Sequence, residues 1–300
     1  MRLLVIGANG QIGWELTRSL RPLGDVIALD RERCDLTQPE ELPGIIRDAR
    51  PDVLVNAAGY TAVDKAEDDE QLATLVNGTA AGVMAQETRR LGALMVHYST
   101  DYVFDGTKRE AYVEDDPPHP LNAYGRSKLA GETAVREAAG DHLILRTSWV
   151  YASRGHNFLK TILRLARERE ELRVVADQVG APTWARNIAN ATGEVIQRAQ
   201  RERRRRQFQS ELLHMSAAGE TSWHGFAQAI VNQPHAAPIL HVLPAIRAIS
   251  SAEYPAAAVR PKNSRLCCDR LRERFGVALP AWAAALELCL ADASLQAPED

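Results

Sequence analysis

Residues 5–16 read VIGANGQIGWEL, and the fold turns on how this stretch is read. Apolar residues lead into Gly7, Gly10 and Gly13, a G-x-x-G-x-x-G spacing, and an amphipathic segment follows. Glycines placed there let the chain turn sharply from a strand into a helix. They also let backbone N–H groups approach a pyrophosphate, with the positive end of the helix dipole behind them. Asp30 closes the next apolar run, DVIALD at 25–30, where a ribose-binding acid belongs. A strand before, a helix after and an acid downstream argue against a tight turn that binds nothing.

Outward from this turn, short apolar runs alternate with longer mixed segments. RLLVIG (2–7), DVIALD (25–30), DVLVNAAG (52–59), ALMVHYST (93–100) and HLILRTSWVY (142–151) read as strands. Helices are expected over 11–22, 38–49, 70–91 and 124–138, with TQPE at 37–40 as a capping box that starts the second. Continuous apolar strands between helices predict an α/β fold, a doubly wound parallel sheet covered on both faces. After about residue 150 the rhythm loosens into a smaller α+β lobe. The expected division is a dinucleotide-binding domain over 1–150, rejoined by the chain around 184–200, and a mainly substrate-binding lobe over 151–300.

The bulk properties exclude several classes. A chain of 300 residues with net charge −3 has no global attraction to nucleic acid or acidic membranes. Cys34, Cys267, Cys268 and Cys289 form no C-x-x-C pair and fit neither a disulfide framework nor a zinc site. No apolar run is long enough for a membrane span or a signal segment. A soluble cytoplasmic protein is expected.

Asp30 favours NAD through its ribose hydroxyls, whereas Arg31 and Arg33 beside it suit the extra phosphate of NADP, so either or both stay open. The small residues of VNAAGY (55–60) would let a cofactor lie on the backbone, or simply pack closely. YGRSK at 124–128 puts Tyr124 and Lys128 on one helical face. An ammonium beside a phenol is expected to lower its pKa toward the working range. VHYSTDYVF (96–104) presents Ser99, Thr100 and Asp101 at the carboxyl edge of the sheet, where ligands of such folds bind. Thr100, Tyr124 and Lys128 together suit carbonyl reduction. Trp149 could stack on a sugar or belong to the core, and Asn157, Arg260 and Arg265 could hold nucleotide groups or serve structure. Ser222–Trp223 reads as a helix cap with a core aromatic.

GANGQIGWEL, PDVLVNAAGYTAVDKAE, HYSTDYVFDG, PLNAYGRSKLAGE, LILRTSWVYA, DQVGAPT and RPKNSRL together resemble the extended short-chain dehydrogenase/reductase superfamily. More narrowly they are similar to its dTDP-4-dehydrorhamnose reductase family, along nearly the whole chain. The resemblance implies a Rossmann domain, a sugar-nucleotide domain and Thr100, Tyr124 and Lys128 as catalytic residues. It implies reduction of the C4 keto group of dTDP-4-dehydro-β-L-rhamnose within dTDP-rhamnose and lipopolysaccharide O-antigen synthesis, with NADPH favoured over NADH. Cofactor contacts are implied at Gly7, Asn9, Gly10, Gln11, Ile12, Gly13, Asp30, Arg31, Asp35, Leu36, Ala57, Ala58, Tyr60, Tyr124 and Lys128. Substrate contacts are implied at Thr100, Asp101, Trp149, Asn157 and Arg260.

Some relatives suggest a magnesium-linked homodimer using a first-helix carboxylate and another after the GAPT loop. Glu15 is present, but Arg186 stands where the second acid is expected, so no metal is expected here. QRAQRERRRRQFQSE (197–211) is expected to be a disordered or exposed insertion rather than a nucleic-acid site. Two other functions stay in view. One is a reductase or epimerase of another dTDP-4-keto-6-deoxy sugar. The other is a non-catalytic NADP-binding subunit like the regulatory β subunit of methionine adenosyltransferase.

Overall fold

The computed structural model describes residues 1–236 and 243–292. Residues 237–242 and 293–300, part of the expected second lobe, lie outside the described residues. Strands β1 (Arg2–Ile6), β2 (Asp25–Leu29), β3 (Val53–Asn56), β4 (Leu94–Thr100), β5 (His142–Thr147) and β10 (Glu211–His214) form one parallel sheet. Its order is β10-β5-β4-β3-β1-β2. The chain steps from β1 to β2 on one side and then resumes with β3 on the other. That reversal opens a crevice at the carboxyl ends of β1 and β3.

The strands are continuous apolar runs because both faces are buried. Leu3 and Val5 face one core, shared with Leu16 of α1 (Gln11–Ser19) and Ile188 of α7 (Ala185–Arg204). Leu4 and Ile6 face the other, shared with Ile46 of α2 (Leu42–Ala49), Met84 of α4 (Ala80–Leu91) and Val135 of α5 (Ala123–Glu137). The alternation is the period of two that any strand imposes.

Two expected helices differ in detail. TQPE does not start α2. Asp35 Oδ1 accepts from Thr37 N at 3.0 Å, fixing a turn there, and Pro43 rather than Pro39 lies in the helix's first turn. The expected 70–91 helix is interrupted: α3 (Glu70–Thr74) passes through a π-helical turn, Leu75–Thr79, before α4 begins.

The second lobe is built from short pieces. β6 (Val150–Tyr151) pairs with β9 (Thr183–Trp184), β7 (Glu171–Val175) with β12 (Ala245–Ile249), and β8 (Val179–Gly180) with β11 (Thr221–Ser222). Tyr151, Leu159 of α6 (Phe158–Glu168), Phe226 of α8 (Trp223–Asn232) and Leu286 of α10 (Trp282–Leu290) share its core. Ser222 caps α8 by accepting from Gly225 N at 3.0 Å. Both α7 and α9 (Asp269–Phe275) pack back onto the first core, through Ile188 and Val195 and through Leu271 and Phe275.

Of the expected disordered or exposed insertion, the arginine run is exposed but ordered: it continues α7 to Arg204. Arg203 Nε donates to Asp141 Oδ2 at 2.7 Å, while Arg204, Arg205 and Arg206 are exposed. Among the described residues, no helix is long and apolar enough to cross a membrane.

Candidate active site

The first turn has the geometry that its glycines foreshadow. Gly7 has φ +86°, and a Cβ there would meet Ala58 N at 2.6 Å. A Cβ on Gly13 would lie 2.0 Å from Gly7 O. Only glycine therefore allows the end of β1, the start of α1 and the end of β3 to approach this closely. Gly10 caps α1 without a side-chain acceptor, which leaves the helix's leading N–H groups aimed into the crevice. Ala57 and Ala58 close it from β3.

Asp30 follows β2 at the same edge. Its carboxylate accepts from Asn9 Nδ2 at 3.1 Å and from Arg33 N at 3.3 Å. Asn9, Asp30, Arg31, Arg33 and Asp35 line a cavity of about 620 Å³. Arg31 lies 3.6 Å from Asp35, whose carboxyl is held low first by the Thr37 backbone, then by the Thr37 hydroxyl and Arg31. Leu36 is buried in the core beneath, so its side chain does not face this cavity. Close-approach glycines, unblocked helix amides and a ribose-height acid fit a dinucleotide.

Two elements, β4 and α5, bring the candidate groups together. β4 ends at Thr100, whose Oγ1 accepts from Tyr102 N at 3.2 Å and donates to Asp101 Oδ1 at 3.1 Å. Asn122 starts α5 by accepting from Gly125 N at 2.8 Å. Gly125 lies so close to the Tyr102 carbonyl that a Cβ would be 2.2 Å away. That approach sets Tyr124 beside Thr100, whose hydroxyl acts on its phenol, and edge-on to Tyr102 at 5.5 Å. One turn later, Lys128 Nζ donates to the Tyr98 carbonyl at 2.5 Å.

The electrostatics correct one expectation. Tyr124 is pushed up, not down, to about 12, chiefly by burial; the Thr100 hydroxyl offsets part of this and Asp101 adds to it. Lys128 does not lower it. The ammonium is directed at the Tyr98 carbonyl and is itself pushed down to about 8 by burial. Burial likewise raises Asp101 to about 6.

The remaining candidates separate. Arg260 donates to Asp64 Oδ2 at 2.6 Å and adjoins Tyr102, so it borders the site. Trp149, with φ +48°, stacks on Trp223 at 3.6 Å and lies against Gly180; one ring face is thus covered by protein. Asn157 caps α6 and donates to Gln11 Oε1 at 3.0 Å, tying the second lobe to the glycine turn. Arg265 pairs with Glu220 at 2.8 Å and donates through Nε to Asn263 Oδ1 at 2.9 Å. Glu15 pairs with Arg186 at 3.1 Å, and Arg186 also reaches Asp292 at 2.5 Å.

Asn77 is a further residue that organises the site. From the π-helical turn its amide accepts from Tyr60 N at 2.8 Å and donates to Tyr60 O and Ser127 Oγ. It thereby fixes Tyr60 and the helix that carries Tyr124. The sequence marks the place only by Gly78, a weak point in an otherwise regular helix.

The family model described as the RmlD substrate binding domain matches residues 1–295. A dTDP-4-dehydrorhamnose reductase of Burkholderia thailandensis is 56% identical over 97% of this chain and 99% of that one. One from Salmonella typhimurium is 45% identical over 94% of each. The crystal structure of a Bacillus anthracis dTDP-4-dehydrorhamnose reductase in complex with NADP superimposes with TM-score 0.87 at 35% identity. It covers 97% of this chain and 98% of that one.

Proposed function

The chain belongs to the RmlD family of dTDP-4-dehydrorhamnose reductases, and from that membership we propose that it reduces the C4 keto group of dTDP-4-dehydro-β-L-rhamnose to give dTDP-L-rhamnose, with Tyr124 as proton donor. A nicotinamide dinucleotide supplies the hydride when bound. NADPH is the proposed form: a relative's structure holds NADP, and Arg31 and Arg33 offer charge for a 2′-phosphate, with NADH as the alternative donor. Gly7, Asn9, Gly10, Gln11, Ile12 and Gly13 would hold its pyrophosphate end. Asp30, Arg31, Asp35 and the backbone at Leu36 would hold the adenosine ribose, and Ala57, Ala58 and Tyr60 would back the rest.

Thr100 donates to the substrate carbonyl oxygen, and Tyr124 hands its proton to that oxygen as negative charge develops. A phenol held near 12 keeps its proton at neutral pH, as a donor in the reducing direction must. Lys128 holds positive charge below it and can bond a ribose hydroxyl. Asp101 and Arg260 border the sugar, and Trp149 and Asn157 shape the lobe side.

The observation that carries this reading is the convergence of Thr100 and Tyr124 enforced by Gly125 against the Tyr102 carbonyl. The test mixes protein, NADPH and dTDP-4-dehydro-β-L-rhamnose, follows nicotinamide absorbance and identifies the product by NMR. dTDP-L-rhamnose is expected. An epimeric sugar would move the assignment to another reductase or an epimerase. No oxidation beside an active control enzyme would favour the binding-subunit reading. A cytoplasmic homodimer without a bridging metal is the proposed assembly, which sedimentation tests.

A further inference from the structure

Beneath the reacting groups lies a buried ion pair that the chemistry above does not use. Glu132 of α5 is 0% exposed and Arg146 of β5 is 2% exposed. Arg146 Nε and Nη2 each donate to one oxygen of Glu132 at 2.7 Å, and Ser99 Oγ donates to Oε1 at 2.6 Å. Ser99 and Arg146 are direct partners across β4 and β5, so two adjacent strands grip one carboxylate. Phe104 covers the guanidinium, ring centre 4.9 Å away. Buried ion pairs are often no more stabilising than well-packed apolar residues, so stability alone does not account for this one.

Its place suggests the reason. Tyr124, Lys128 and Glu132 follow each other at four-residue intervals on a single face of α5. Lys128 is buried, and a buried ammonium tends to lose its proton unless negative charge stands near. We propose that Glu132 is a positioning residue for the reaction: clamped by Arg146 and Ser99, its carboxylate keeps Lys128 charged and aligned under Tyr124. This rests on the roles given above to Lys128 and Tyr124. The same clamp fixes Ser99, the residue before Thr100, so it orders both sides of the site.

Among the described residues, the groups around Lys128 are few. From β4 come the His97 ring, held neutral mainly by burial and further by Lys128, and the Tyr98 carbonyl. From α5 come Tyr124 and Glu132, with Arg146 of β5 behind the latter. Beyond β3, Gly59 is flanked by Lys128 Nζ and the uncharged Asn77 amide. Glu132 is thus the carboxylate that opposes the effect of burial on Lys128.

The test is a titration of cofactor-free protein labelled with ¹³Cε-lysine, the Lys128 signal assigned by its loss in Lys128→Arg. In the native chain that signal should titrate near pH 8. Glu132→Gln should move it down by about one pH unit or more, and Glu132→Asp should restore most of the difference. Because Glu132→Gln strands the Arg146 charge and can prevent folding, Glu132→Gln/Arg146→Met serves as the second variant and should shift in the same direction. The alkaline limb of kcat/KM should move with it. An unmoved Lys128 titration in either folded variant overturns the role of Glu132, whether or not the native chain turns over. A moved titration in a chain that never turns over supports the coupling while overturning the reaction assigned to it.

Discussion

Tyr124 shows why pairwise arithmetic on a sequence can mislead. Four-residue spacing correctly places phenol and ammonium on one face, yet their pKa values answer to burial before they answer to each other. The consequence is a phenol that stays protonated at neutral pH, as the proposed donor must. Tyr124→Phe should therefore lower kcat by roughly 10²–10⁴-fold with an unchanged urea midpoint, measured by turnover and denaturation. Asp101 offers a sharper pH test. Its folded-state pKa, about 6 against an ordinary 3.8, means the folded chain holds a proton between those values that the unfolded chain has released. Its contribution to stability is therefore present below pH ~4 and lost as pH rises through about 6. Asp101→Asn should gain on the native chain between pH 4 and pH 7 by an amount on the order of 3 kcal/mol, read from urea melts at both pH values.

At the scale of elements, the glycines are where local conformation and ligand geometry meet. Gly13→Ala would bring a methyl to 2.0 Å from Gly7 O, a backbone atom that cannot step aside without opening the turn. We expect a loss of about 1–3 kcal/mol in stability. NADPH affinity should fall at least about tenfold, measured by fluorescence titration, because the displaced amides are those proposed to face the pyrophosphate. The α3–α4 helix carries a different lesson. Its π-helical turn exists so that Asn77 can satisfy both backbone groups of Tyr60 and the Ser127 hydroxyl, bonds formed across distant parts of the chain.

Across the whole molecule, Arg186 links elements remote in sequence: Glu15 in α1, its own helix α7 and Asp292 just beyond α10. Glu15 is 4% exposed, so removing the guanidinium would leave its carboxylate buried without that partner. Arg186→Ala should destabilise the fold by about 2 kcal/mol, less than for a fully enclosed pair because the guanidinium is about a third exposed. Because an arginine already neutralises Glu15, EDTA should leave both turnover and sedimentation unchanged. Among the described residues, no group of three or more His, Cys, Asp or Glu is gathered as for a metal ion.

The doubly wound sheet, the glycine turn, Asp30 at the edge of the second strand and the shared helical face of Tyr124 and Lys128 were all legible in the chain. Each rests on short-range rules: strand period, helix period and the conformational freedom of glycine. Tertiary packing decided the rest. Burial set the pKa of Tyr124 above its ordinary value, the Asx turn at Asp35 displaced the expected start of α2, and Asn157 became a cap bonded to Gln11. The Glu132–Arg146 clamp exists because β4 and β5 lie side by side beneath α5, which no local spacing specifies. Desolvation and cross-strand contact depend on what the rest of the chain places around a residue, and that is known only once the chain has folded.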